Sequence, residues 1–274
     1  MTLSLRDVGR EAKLLLIGIP VFLWTILPIY HLFLFAISPK ESVFSGRFWP
    51  EHPTLRNFGV VFGQQHYYLS HFWRQLWNSL LIAVSTGVLT LMIATAAAFA
   101  ISRLKVRGGR TVMNLALFTY FIPAAFLAVP MYRTMGIYGL LNTQPALILA
   151  MVTVASPYAI WVLKQASDKL PYELDEAAVM DGATKWHQFR YVTWPSMQTL
   201  YLTCTILSMI WTLGDFNSVY LLTGGGPADL THVLATLGIR YLGLDELNLA
   251  MASIVCAMPL VLPLVYFMMK RLSR

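Results

Sequence analysis

Few residues in this chain suit covalent chemistry, and those whose spacing suggests a task suggest docking. The densest polar pattern is Glu173, Asp175 and Glu176, followed by Ala177, Ala178, Asp181, Gly182 and Ala183. Carboxylates in a first helical turn suit the positive end of the helix dipole, and a run of Ala and Gly lets another protein surface approach the backbone closely. Asp215 is the one carboxylate inside a long apolar stretch, beside Trp211, Phe216 and Asn217. Aromatic faces with an amide and a carboxylate are suited to stacking on, and hydrogen bonding to, a sugar-like solute; Tyr120, Tyr132, Trp161 and Tyr220 add further rings. Gly224, Gly225, Gly226 and Pro227 form an element that either contacts a partner or simply reverses the chain. Gly108-Gly109 lacks the Lys that a phosphate-binding G-x-x-x-x-G-K-S/T loop requires, and that pattern occurs nowhere. Cys204 and Cys256 fall in apolar stretches and read as small packing residues. Neither a catalytic set nor a metal site is expected.

The elements that must position these residues are set by hydropathy. Of the 274 residues 57% are hydrophobic and 12% charged, about half the charge of an ordinary soluble domain. A bilayer core about 30 Å thick asks for roughly 20 apolar residues per helical span. Six such runs occur, at about 14–37, 78–101, 112–132, 144–163, 197–222 and 249–269. The predicted fold is therefore an all-α membrane protein with six transmembrane helices in a single domain over 1–274. The first run is long enough to span and is followed by no small-residue cleavage pattern, so it reads as a retained helix. Pro123, Pro130, Pro157, Pro259 and Pro263 fall within the third, fourth and sixth runs, where each removes a backbone donor. Bent helices of that kind belong against neighbours or a pathway, where the freed carbonyls find partners.

The net charge of +7 loses its nucleic-acid meaning once each cation is assigned to a side. With the N-terminus inside, fourteen Lys and Arg fall in cytoplasmic segments, from Arg6, Arg10 and Lys13 to Lys270, Arg271 and Arg274, and six fall outside. The positive-inside rule then puts both termini in the cytoplasm. The segment 38–77 is external and rich in aromatics such as Trp49, Trp73 and Trp77, which suit the headgroup level. Buried ionisable groups near the midplane, the usual equipment of proton- or sodium-coupled carriers, are nearly missing. A stand-alone secondary carrier is thus the weaker alternative.

Residues 164–195 form a cytoplasmic loop that reads as two short helices. Pro171 suits the first position of one, which Gly182 ends; Thr184 caps a second over Lys185–Thr193, running up to Pro195 at the membrane entrance. Pattern alone leaves two readings open, a docking element and an amphipathic connector lying on headgroups.

The run Glu176-Ala177-Ala178-Val179-Met180-Asp181-Gly182-Ala183, followed by Val192, Trp194 and Pro195, resembles the EAA loop of bacterial ABC importer permeases. In that family the pattern is E-A-A, three residues, G, nine residues, I-x-L-P. The Glu, both Ala, the Gly and the Pro match in register, and Val192 and Trp194 replace Ile and Leu. Asn78-Ser79, Arg103-Leu104, Ile122-Pro123 and Val129-Pro130 look like the carbohydrate branch, and overall length resembles the smaller permease of the maltose type. Thr223-Gly224-Gly225-Gly226-Pro227 is similar to an element more often found in that branch's other permease. The resemblance implies a coupling helix at Glu176–Ala183 seated on a separate cytoplasmic ATPase, and residues 224–227 reaching an external solute-binding protein. It also implies a second permease subunit and two ATP-binding cassette subunits, which would hold ATP and Mg, with no cofactor in this chain. Localisation would be the bacterial inner membrane, in contact with lipid. Cargo would be a sugar or sugar-like solute, with glycerol phosphodiesters and polyamines as competing classes.

Overall fold

The computed structural model describes residues 5–227 and 229–272; Arg274 and the side chains of Arg6, Arg10, Lys13 and Arg271 lie outside that description. The described residues are helical, with no strand among them. The helices are α1 (Leu5–Ala36), α2 (Arg56–Phe62), α3 (Phe72–Ser102), α4 (Gly109–Phe118), α5 (Ala124–Ile137), α6 (Gln144–Asp168), α7 (Glu173–Met180), α8 (Lys185–Gln188), α9 (Trp194–Gly214), α10 (Phe216–Leu222), α11 (Leu234–Leu242) and α12 (Leu247–Leu272). Within α1 the stretch Leu14–Ala36 is long and apolar enough to cross a bilayer, as are α3 and α6. Three bent pairs raise the number of candidate spans to six at most.

The described residues fall into two compact units, one of residues up to 70 with 237–256, the other of 71–236 with those from 257 on. In the first, α1 turns apolar side chains outward along its length, Leu16 and Trp24 being 77% and 82% exposed. Its end is closed by Asn57, whose Nδ2 donates to the carbonyls of Ala36 and Ser38, both at 2.9 Å. Asn248 Nδ2 donates in turn to Asn57 Oδ1 at 3.0 Å. The Tyr241 hydroxyl lies 2.9 Å from His66 Nδ1, and His66 Nε2 lies 3.1 Å from Glu246. Burial, with the Glu246 carboxylate and Tyr68 adding to it, holds the Tyr241 phenol above its usual range, so it stays neutral.

The second unit is organised by α3. Every fourth residue from Asn78 through Ile82, Thr86, Thr90, Ala94 and Ala98 to Ser102 is buried, a mostly small-residue spine. Small side chains let α6 and α9 approach closely, the usual solution where solvent-driven burial is unavailable. A Cβ on Gly87 would meet the Met209 side chain at 3.2 Å. The flanking cores are Ile82, Leu147, Met151, Val219 and Leu222 on one side and Ala98, Leu163, Met197 and Tyr201 on the other.

Several expected boundaries move. The run 112–132 is no continuous helix: it stops before Pro123 and restarts with α5, bent by 114° across the break. Pro123 forces its predecessor toward extended backbone, and Ile122 sits at φ −89°, ψ 120°. The run 197–222 breaks by 54° at Asp215, which is extended at φ −76°, ψ 95°. Asp215 is therefore a helix cap between α9 and α10, not a residue within a helix. α6 continues through Lys164 to Asp168, so the segment between α6 and α9 starts at Lys169 rather than 164. Pro171 precedes the α7 cap, Tyr172, instead of starting the helix. The second short helix, expected over Lys185–Thr193, does not stop there: α8 passes through a π turn, Phe189–Thr193, directly into α9. The wide turn gives room to a residue with no N–H and a ring aimed at the preceding turn.

Candidate functional site

α7 forms where the sequence places its carboxylates: Glu173, Asp175 and Glu176 occupy its first turn. It ends in a Schellman arrangement, with Ala183 N donating to Ala178 O and Gly182 N to Val179 O, both at 2.9 Å. Gly182 has φ +79°, and a Cβ there would meet nothing within 4 Å. Its glycine is needed for the left-handed turn, and the space around it is open. Thr184 caps α8 through a reciprocal box, accepting from His187 N at 3.4 Å while His187 Nδ1 faces Thr184 N at 3.4 Å.

What fastens α7 is Arg103, a residue the sequence marks only through the family resemblance. The Arg103 side chain is 5% exposed, and its Nη1 lies 2.7 Å from Asp175 Oδ2, an ion pair whose angles fall outside hydrogen-bond geometry. Nη2 donates to the carbonyls of Ser167 at 2.8 Å and Leu170 at 3.1 Å. The guanidinium carbon sits 4.8 Å from the Tyr172 ring centroid, and Tyr172 donates to Ser102 O at 3.2 Å. Ser102 and Ser167 hydroxyls meet at 2.7 Å. The ends of α3 and α6 and the start of α7 thus share one polar knot, which a planar five-donor group is suited to hold.

Held in this way, α7 presents Glu176, Ala177, Asp181 and Gly182 as exposed, with Ala178 and Ala183 half-buried. Large apolar side chains surround them: Leu174 (45%), Val179 (52%), Met180 (88%) and Trp186 (66%) are exposed. Alternating acid and apolar surface at the end of two span candidates is suited to receiving another protein. Pro195 is exposed on the first turn of α9, apart from this face in the chain by the α8 and π segments.

The second candidate group is only partly brought together. Asp215 Oδ1 accepts from Ser218 N at 3.0 Å, Phe216 stacks on Tyr220 at 4.9 Å, and Asn217 borders a crevice of about 20 Å³ against Ala128, Met131 and Val154. Trp211 points away, 80% exposed. The crevice is smaller than one sugar ring.

The third group, 224–227, is an ordered element. Gly224 and Gly225 have φ +55° and +85°, and the Gly226–Pro227 bond is cis. A Cβ on Gly225 would fall within the His232 ring. Thr231 Oγ1 donates to Gly226 O at 2.7 Å and lies 2.9 Å from Thr223 Oγ1. Asn78, 2% exposed, donates from Nδ2 to Leu230 O at 2.8 Å and His232 O at 3.1 Å, and Ser79 Oγ accepts from Leu234 N at 2.9 Å. Gln144 completes the clamp on Asn78 Oδ1 at 2.7 Å.

The sequence profile of the family described as binding-protein-dependent transport system inner membrane component matches residues 90–274, well over half of the chain. The chain belongs to this family. It is accordingly a multi-pass protein of the bacterial inner membrane and a transport component, not an enzyme of the usual kind. Among relatives, it is 31% identical over 200 residues to the trehalose transport system permease protein SugB of Mycobacterium tuberculosis, covering 73% of this chain and 71% of that one. To the diacetylchitobiose uptake system permease protein DasC of Streptomyces coelicolor it is 24% identical over 259 residues, covering 93% and 92%. A solved bacterial ABC transporter involved in the import of the acidic polysaccharide alginate has a chain of the same fold, with TM-score 0.78 at 21% identity, covering 98% of this chain and 99% of that one.

Proposed function

We propose that this family member is one transmembrane subunit of an ATP-driven, binding-protein-dependent importer of a sugar or sugar-like solute, forming half of the translocation pathway. The observation that carries the reading is the exposed, clamped α7, presented where α3 and α6 end. In this reading Glu176, Ala177, Ala178, Asp181, Gly182 and Ala183 seat on a separate ATPase, with Pro195 starting the adjoining span, and ATPase closure moves α3 and α6 through the Arg103 knot. The ATPase pair holds ATP and Mg; this chain holds no cofactor. Each bent helix pair counts as one span, giving six in a single transmembrane domain with both termini cytoplasmic, in accord with the distribution of Lys and Arg.

The pathway needs a second permease, and Trp211, Asp215, Phe216 and Asn217 are this chain's candidates to line it. The break at Asp215 and its exposed aromatic neighbour support that assignment, since irregular backbone at membrane depth is tolerated where it lines a cavity. The clamped element at Gly224, Gly225, Gly226 and Pro227 is the candidate contact for an extracytoplasmic solute-binding protein. The names of relatives that carry trehalose and diacetylchitobiose support a sugar cargo. Purification from the native host, mass spectrometry of retained subunits and an ATPase assay test the whole. An ATPase and a second permease should be recovered, with activity raised by a binding protein. Recovery of this chain alone as a stable unit would overturn the reading.

A further inference from the structure

Where α3 and α6 end, the hairpin leading into α4 borders a cavity of about 560 Å³. Lys105, Arg110, Thr111, Lys164, Asp168 and Tyr172 line it. Lys164 is paired with Asp168, whereas Lys105 and Arg110 have no carboxylate partner among the described residues. Lys105 stands at φ +50°, a left-handed conformation that a lysine adopts only where its surroundings hold it, and its Nζ lies 4.9 Å from the Tyr172 ring centroid. The cavity therefore has excess positive charge that no carboxylate among the described residues neutralises, and the coupling reading makes no use of it.

An apolar strip begins one residue beyond Thr111. Val112, Leu115, Phe118 and Phe121, at every third position, are 67, 62, 63 and 82% exposed. A cationic cavity continued by such a strip, at the end of two helices able to cross a bilayer, matches a molecule with an anionic head and acyl tails. A soluble phosphate would leave the strip bare.

We propose that this cavity binds the headgroup of an anionic phospholipid, its phosphate taking charge-assisted hydrogen bonds from Lys105 and Arg110 and one from the Thr111 hydroxyl, with its acyl chains along the α4 strip. The inference rests on the inner-membrane location and not on cargo or ATPase coupling.

The test is native mass spectrometry of the full chain, with whatever subunits it retains, from nanodiscs of phosphatidylcholine doped with phosphatidylglycerol. Retained phosphatidylglycerol is expected, falling about fivefold for each cation removed in Lys105→Asn and Arg110→Gln. Asn tolerates the left-handed backbone, and both side chains are exposed, so folding is not at stake. Arg107→Gln, exposed nearby but outside the lining, should change nothing. Unaltered retention in the Lys105→Asn/Arg110→Gln double variant would overturn the proposal, as would an equal loss in Arg107→Gln. Displacement of the lipid by inorganic phosphate would mark a free-anion site instead and overturn the lipid assignment. Lipid retained on a chain that carries no ATPase subunit would count against the importer reading and leave this site standing.

Discussion

Arg103, the residue that closes α3, and Asp175, in the first turn of α7, stand 2.7 Å apart and join a span candidate to α7 through one ion pair. The same guanidinium holds two carbonyls at the end of α6, so a displacement of α7 reaches both long helices at once. Removing Arg103 leaves the Asp175 charge without its counter-ion and two carbonyls without their donor. Arg103→Gln should cost about 3 kcal/mol and Asp175→Asn about 1 kcal/mol, with the double variant costing less than their sum. Thermal unfolding of the purified complex measures the costs, and limited proteolysis across 169–184 reports the release of α7. Strict additivity would show that the pair carries no mutual energy.

Glu176 separates docking from folding. It is exposed and pairs with no cation among the described residues, so Glu176→Lys should cost only the lost attraction to the α7 dipole, about 1 kcal/mol of unfolding free energy. ATP-driven uptake should nevertheless fall at least tenfold, through reversed charge against the ATPase. Normal uptake with normal ATPase coupling would remove Glu176 from the interface.

Gly182 tests whether backbone or bulk matters at the end of α7. Because a Cβ there meets nothing within 4 Å of the chain itself, the intramolecular cost of Gly182→Ala is the left-handed backbone alone, about 1 kcal/mol. Gly182→Asn should restore much of that stability, since Asn accepts positive φ. If uptake follows stability across the two variants, the residue is a cap; if Asn is the worse transporter, its bulk obstructs the partner surface.

Hydropathy made the long helices legible, because an apolar run of this length has one stable solution in lipid. α1, α3 and α6 stand close to their expected places, and the Gly182 end of α7 and the Thr184 box follow from local chemistry. A bend near Pro123 was expected from the proline, but not its extent, and the break at Asp215 was not legible. Both lie in runs whose mean hydropathy is continuous, and an apolar count carries no term for a proline-directed extension of Ile122 or an aspartate that prefers to cap. The Arg103 knot escaped for another reason: it joins residues 64 to 72 positions apart, and no local pattern announces such a partner. Asn78 and Ser79 likewise read as the start of a span, while their work is to hold carbonyls and an amide more than 150 positions away.

That distant clamp yields the sharpest test of the 223–234 element. Asn78→Ala removes both bonds to the loop and leaves one buried and one part-buried carbonyl unpaired, a cost of about 2 kcal/mol, and Gly225→Ala drives a Cβ into the His232 ring. Both should disorder the loop, so neither alone distinguishes a contact surface from a turn. Gly224→Asn does. Gly224 is exposed at φ +55°, a conformation Asn accepts, and the nearest atom to its Cβ is 3.9 Å away, so the substitution adds bulk outward while the clamp stays intact. If the element receives a solute-binding protein, Gly224→Asn should keep the unfolding temperature and basal ATPase rate of the reconstituted complex yet lower stimulation by the binding protein several-fold. Undiminished stimulation in Gly224→Asn, alongside loss in Asn78→Ala and Gly225→Ala, would reduce the loop to a structural brace for α3 and α10 and move the partner contact elsewhere.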